Sequence, residues 1–239
     1  MFASIELSYK KNNKEGNVSK SIEFIKNLDR IVILAQGPSW CRCPKKREFT
    51  GKFEIWGSNV IYRDYPEVDR LFFGHDIREG ILHDDIYLVK NVNRLNIPVY
   101  TTGIFRVLRK NAQIPINQIV SEFGIAFFLN VIAYMIATAI LQKPKIIDMY
   151  GVDMRPDAGV ETYVNEKGSV EFWLGVAIGR GIKIENTEES FVLKTKQEGD
   201  IHNFRKKVPQ AGLYSTIPES HRNPYVLQNY YVEPVGDEI

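Results

Sequence analysis

The sequence predicts an α/β fold, a doubly wound and mostly parallel sheet followed by an irregular C-terminal arm. Three observations point there. Short apolar, β-branched runs recur between residues 19 and 184 and stop at small or polar residues, as buried parallel strands do. Segments with apolar residues at helical spacing stand between them. From about residue 195 both patterns end. Such alternation favours a sheet covered on both faces, built with right-handed crossovers.

The elements follow in order. Ser19–Leu28 places Ile22, Ile25 and Leu28 on one face behind Ser19, a residue suited to the N-cap, and predicts a short helix. Ile31–Ala35 reads as the first strand, Phe53–Gly57 as the second and Arg70–Gly74 as the third. Asp84–Leu95 predicts a helix on the spacing of Ile86, Val89, Val92 and Leu95. Ile97–Thr101 is a fourth strand, with Pro98 near its start where a missing N–H costs least. Ile125–Leu141 predicts one long apolar helix, Lys145–Tyr150 a fifth strand, and Ser169–Arg180 a helix ended by Gly181. Ile182–Ile184 closes the sheet. We therefore expect a domain over residues 1–194 and an arm over 195–239. The arm carries Phe204, Tyr214, Tyr225, Tyr230 and Tyr231, more aromatics than disordered tails hold. It is expected to pack on its own domain or on a sister subunit in a homo-oligomer, a dimer in the simplest case.

Composition narrows the class. A formal net charge of +2 gives no general signal for nucleic acid. The cluster Lys45, Lys46 and Arg47 reads as a solvated loop. Cys41 and Cys43 are the only cysteines. Their spacing suits neither an intrachain disulfide nor a closed zinc site, so they read as reduced thiols of a cytoplasmic protein. Residues 1–20 are polar and do not read as a signal peptide. Ile125–Leu141 is at the lower limit for a membrane span and is interrupted by Asn130 and Thr138. A helix buried on the sheet is expected there, and no membrane partner.

Polar residues recur where the strands end: Gln36-Gly37-Pro38-Ser39, Ser58-Asn59, His75-Asp76, Thr101-Thr102 and Gly151-Val152-Asp153. In a parallel sheet these ends share one edge, where open α/β sheets bind ligands. Small residues at 37–39 let backbone N–H groups approach a phosphate, and Ser39 offers a hydroxyl. Each residue also has a plainer reading: Asn59 as a turn residue, His75 as a surface histidine, Asp153 as a helix cap. Their recurrence at strand ends favours a nucleotide site. In that site Gln36, Gly37, Pro38, Ser39, Ser58, Asn59, Thr101, Thr102 and Gly151 bind the nucleotide. His75 and Asp153 are the candidate catalytic groups, His75 as acid or base, since an imidazole titrates near neutrality. The chain has no G-x-x-x-x-G-K-[ST], G-x-S-x-G or H-E-x-x-H motif, which argues against P-loop enzymes and the common hydrolase and zincin schemes. Gly175, Gly179 and Gly181 lie within and after a helix and form no dinucleotide fingerprint.

The segments IVILAQGPSW, FEIWGSN, VDRLFFGHD, IIDMYGVDM and EFWLGVAIGRGIKIE resemble a Rossmann-like family common in tailed-phage genomes. That family is similar to the 6-hydroxymethylpterin diphosphokinase-like proteins and, more remotely, to bacterial sialyltransferases of the capsule and lipooligosaccharide type. The resemblance covers roughly residues 30–190. It implies that Gly37-Pro38-Ser39 and Asn59 hold a nucleotide and that Gly151–Asp153 is the matching Gly-[IV]-Asp strand end. It also implies host cytoplasm as the location of a phage-encoded member. In those transferases a lid after the Gly-[IV]-Asp strand carries tyrosines and a general-base histidine. Here the corresponding stretch has Tyr163 but no histidine before His202.

The stretch instead offers Asp157, Glu161, Glu166, Lys167 and Glu171. Glu161 and Glu171 are the candidate ligands for a Mg²⁺ ion bridging phosphates, with Tyr163 and Lys167 as further nucleotide contacts. No tightly bound organic cofactor is expected. The sequence therefore points to a nucleotide-dependent transferase moving a glycosyl or phosphoryl group. The alternative is a non-catalytic protein that sequesters a nucleotide or forms an oligomeric scaffold.

Overall fold

A computed structural model describes residues 27–77, 87–155 and 161–194, with the backbone alone for 161–164. Seven strands form one sheet: β1 (Arg30–Leu34), β2 (Phe53–Ser58), β3 (Arg70–Phe73), β4 (Val99–Thr101), β5 (Asn111–Gln113), β6 (Ile146–Tyr150) and β7 (Lys183–Asn186). Their spatial order is β5-β4-β3-β2-β1-β6-β7, and every neighbouring pair is parallel. Among the described residues four α-helices accompany them: α1 (Leu88–Leu95), α2 (Ile116–Phe123), α3 (Val131–Gln142) and α4 (Glu161–Gly179). This is the expected doubly wound, Rossmann-like α/β architecture.

The pleat of β1 shows why its apolar run is unbroken. Ile31 and Ile33 face α3 and α4, whereas Val32 and Leu34 face Ile61, Tyr62 and Val92 on the other side. A strand buried on both faces has no position for a polar residue. α3 is similarly enclosed. From Val131 to Ile140 every residue but Tyr134 is buried, so the helix is apolar on all sides, as expected of one sandwiched between sheet and helices.

Several boundaries differ from the expectation. The apolar helix starts at Val131 rather than Ile125, because Asn130 is its N-cap and accepts a hydrogen bond from the Ala133 N–H at 2.9 Å. Among the described residues no helix is long and apolar enough to cross a membrane. α4 begins eight residues before the expected Ser169, in a polar stretch that hid it. β5 and α2 were not anticipated. β5 is three residues of an edge strand with no fully buried side chain, and α2 follows Pro115 directly. The helix expected over Ser19–Leu28 lies mostly outside the described residues, and its final residues are not helical. The arm over 195–239 lies outside them entirely, and with it the basis of the oligomer expectation.

Charges inside the sheet are paired. Arg70 donates from Nε and Nη2 to the two oxygens of Glu54 at 2.7 and 2.8 Å, and from Nη1 to the Tyr100 hydroxyl at 3.0 Å. Trp56 Nε1 completes the group on Glu54 at 2.7 Å. Arg30 pairs with Asp148 across β1 and β6. Cys41 and Cys43 are both free, and burial pushes the Cys43 thiol up to about 12.

Asp148 has one oxygen on Arg30 and the other buried without a partner. Burial pushes its carboxyl up to about 6, and Arg30 opposes this only in part. The folded state therefore favours the protonated acid. That contribution is fully present below the ordinary value of 3.8 and is lost as pH rises through about 6. We expect the stability difference between wild type and Asp148→Asn to change by on the order of 2–3 kcal/mol across this window. Urea denaturation at a series of pH values measures it. Parallel stability profiles would show that Asp148 titrates alike in both states.

Candidate functional site

β1 has β2 on one side and β6 on the other, and the chain leaves these strands in opposite directions across the sheet. This is the switch point at which open α/β sheets leave a crevice. The first loop is tied across it: Ala35 N–H donates to Tyr150 O, and Gly37 N–H to Gly151 O, both at 2.8 Å. Pro38 then begins a 3₁₀ turn over Pro38–Arg42, a place where its missing N–H is not needed.

Ser39 and Asp153 lock this turn. The Ser39 amide donates to Asp153 Oδ2 at 2.8 Å and its hydroxyl donates to Asp153 Oδ1. The same hydroxyl accepts from the Gly151 amide at 2.9 Å. Ser39 and Asp153 are 2% and 4% exposed, so the hydroxyl expected to face a ligand is turned into the protein, and the Gly37 and Ser39 N–H groups expected to approach a phosphate are engaged by Gly151 O and Asp153 instead. Both carboxylate oxygens of Asp153 are likewise engaged by Ser39. Two glycines make the closeness possible. A Cβ on Gly37 would stand 2.5 Å from Gly151 O and 2.6 Å from Asp153 Oδ2. Gly151 has φ of +69°, and a Cβ there would lie 2.1 Å from Ala35 O, a position no other residue fills without moving the backbone.

Around this clasp lies a cavity of about 900 Å³, within the size range of small-molecule sites. Gln36, Gly37, Pro38, Ser58, Asn59, His75, Gly151 and Asp153 line it. The structure thus brings together eight of the residues singled out in the sequence. Asn59 follows β2 with φ of 49° and its amide donates to Phe72 O at 2.8 Å. That left-handed turn is one Asn tolerates well. His75 is exposed at the cavity's edge.

The opposite wall comes from the start of α3 and, apart from Glu166, which the sequence offered among the carboxylates after Asp153, was not foreseen. Phe128, Leu129, Asn130 and Tyr134 line it, with Glu166 of α4 and Arg155. Phe128 is stacked between Tyr134 and Trp173, with ring centroids 4.3 and 5.3 Å away. Asn130 Nδ2 donates to Glu166 Oε2 at 3.3 Å. The Arg155 guanidinium lies over the Phe191 ring at 5.8 Å. In the sequence, Asn130 was the available signal, a cap residue at the head of an apolar run.

Other expected residues lie elsewhere. Thr101 is buried, donating to Gly103 O and accepting from Asn111 Nδ2 at 2.7 Å. Thr102 O accepts from Gln113 Nε2 at 3.0 Å. β4 is three strands from β1, and neither threonine lines the cavity. Lys167 and Glu171 form an ion pair at 3.0 Å and hold the chain at 193–194: Glu171 accepts from Leu193 N at 2.6 Å, and Lys167 donates to Lys194 O at 3.2 Å. The side chains of Glu161 and Tyr163, and all of Asp157, lie outside the described residues. Among the described residues no three His, Cys, Asp or Glu side chains group to hold a metal ion.

No family model and no curated protein matches this chain. Solved structures of the sialyltransferase CstII from Campylobacter jejuni show a faint likeness. The complex with the substrate analogue CMP-3FNeuAc is 13% identical, with a TM-score of 0.42, over 66% of this chain and 79% of that chain. The complex with cytidine-5'-monophosphate is 12% identical, with a TM-score of 0.43, over 67% and 80%. A likeness at this level says nothing about the chemistry of this chain.

The clasp has a measurable consequence. Ser39→Ala removes a hydroxyl that serves Asp153 and Gly151 at once, leaving a buried carboxylate oxygen and an amide without partners. We expect a loss of roughly 1–3 kcal/mol in urea denaturation. An unchanged midpoint would mean that water replaces the hydroxyl at no cost.

Proposed function

We propose that the protein is a nucleotide-dependent transferase that moves a glycosyl or phosphoryl group from a nucleotide-type donor bound in this cavity. One observation carries the reading. Three strand-end turns, at Gln36–Pro38, Ser58-Asn59 and Gly151–Asp153, converge on one cavity at the sheet's switch point, the place where such sheets take nucleotides. The resemblance of Gly37-Pro38-Ser39, Asn59 and Gly151-Val152-Asp153 to the motifs of Rossmann-like transferases supports the same reading.

The Gln36 and Asn59 carboxamides hold the nucleotide against the Gly37-Pro38 turn, and the aromatic wall around Phe128 gives the transferred group an apolar flank. Asp153 acts by fixing Ser39 and so the loop, which makes it a positioning residue. His75 is the acid or base, at a rim open to an incoming acceptor. A Mg²⁺ ion would neutralise donor phosphates if the group moved is phosphoryl.

A thermal-shift panel of nucleotides and nucleotide-sugars, with and without Mg²⁺, tests binding. A ligand at about a hundred times its Kd should stabilise the fold by about 2.7 kcal/mol, or roughly 5–10 °C for a chain of this size. Asn59→Ala should weaken that ligand by on the order of tenfold. His75→Ala should leave binding intact and lower turnover, followed by chromatography, by about 10²–10⁴-fold. No shift with any nucleotide overturns the reading. A shift with the ligand recovered intact replaces it with sequestration.

A further inference from the structure

The edge of the sheet at β4 and β5 carries a surface unrelated to the cavity. From Tyr87 through Ser121 the chain has no Asp or Glu but holds Lys90, Arg94, Arg106, Arg109 and Lys110. With a net charge of only +2 overall, the remainder of the chain is net negative, so positive charge is segregated here. All five cations are exposed. None of them pairs with a carboxylate among the described residues.

The loop between β4 and β5 is built in alternation. Phe105 and Leu108 turn inward onto the core, while Ile104 and Val107 are 54% and 50% exposed. The loop is pinned to α1: Asn93 Nδ2 donates to Val107 O at 2.9 Å, Arg109 N–H donates to Asn93 Oδ1 at 2.8 Å, and Lys110 Nζ donates to Asn96 O at 2.6 Å. α1 adds Tyr87, 57% exposed, with Lys90 Nζ 5.9 Å from its ring centroid. Aliphatic tips are therefore presented rigidly among cations.

We propose that this surface docks the protein on an anionic membrane, with Ile104 and Val107 entering the boundary between headgroups and acyl chains while the cations meet acidic headgroups. The occupant follows from the chemistry. A polybasic patch alone binds any polyanion, and exposed aliphatic groups alone bind any apolar face. Their combination is the pair of signals that reversible membrane attachment requires. A single-stranded nucleic-acid surface would stack bases on a row of aromatic platforms, whereas the tip residues Ile104 and Val107 are aliphatic and Tyr87, the one exposed aromatic among the described residues of the patch, has Lys90 over its ring.

Co-sedimentation of the full chain with vesicles tests this. Binding is expected to vesicles of phosphatidylserine in phosphatidylcholine, absent with phosphatidylcholine alone, and weakened by salt. Arg106→Glu with Arg109→Glu should weaken it at least tenfold, since each cation near the surface contributes about fivefold. Ile104→Ser with Val107→Ser, at exposed positions that leave the core intact, should weaken it as well, with an unchanged circular dichroism spectrum. Three results would overturn the proposal. One is failure to bind the acidic vesicles. Another is vesicle or RNA binding that ignores the Ile104 and Val107 changes, which marks a general polyanion surface. The third is a dimer in light scattering that the Val107→Ser change dissociates, which marks an interface between copies.

Discussion

The Asp153 carboxylate is the constraint on which the site depends. An anion 4% exposed is costly to bury unless its lone pairs are met. Here a single residue, Ser39, meets both oxygens, one through its amide and one through its hydroxyl. The contact joins segments 114 residues apart and closes the gap between the ends of β1 and β6. Once it forms, Gly37 has no room for a Cβ and Gly151 must take a left-handed turn. The two glycines and the serine are thus consequences of one buried charge. The same bond holds the 36–39 loop in one conformation, so little ordering entropy is lost when a ligand binds against it.

The rest of the fold supplies the frame for that contact. Both faces of β1 are filled, so the strand cannot shift register without moving a buried row of side chains into the wrong layer. α3, apolar throughout, lies across one face, and its first turn reaches the cavity because Asn130 ends the preceding loop there. The Tyr134, Phe128 and Trp173 stack then connects the cavity wall to α4. The Glu54, Arg70, Tyr100 and Trp56 group holds the starts of β2 and β3 together with β4. Every charged atom in it that could face the core has a partner, the condition under which a buried ion pair is tolerated.

Much of this was legible in the sequence for a physical reason. Ile31–Leu34 is a continuous β-branched and apolar run ended by small residues, the form of a strand buried on both faces. Gly37, Asn59, His75 and Gly151 stood out because each follows such a run. What stayed hidden depended on strand order and on side-chain direction. Thr101 ends a strand as Asn59 does, but β4 lies three places from β1, and no local feature of the sequence states that order. Ser39 sits in the right loop yet faces inward, because its partner lies more than a hundred residues away. β5, reading Asn-Ala-Gln, has no apolar signal at all, since an edge strand needs none. The Lys167 and Glu171 pair could have been read as helical ion pairing from its i,i+4 spacing. Asn130 was visible as an interruption of an apolar run, although its physical role is to start a helix.

The most direct test of this account is a crystal structure of the full chain with the nucleotide that stabilises it most. The nucleotide is expected in the cavity between Gly37-Pro38 and Asn59, with the Ser39 hydroxyl and amide still on Asp153. A nucleotide bound elsewhere, or one that draws Ser39 away from Asp153, would contradict it.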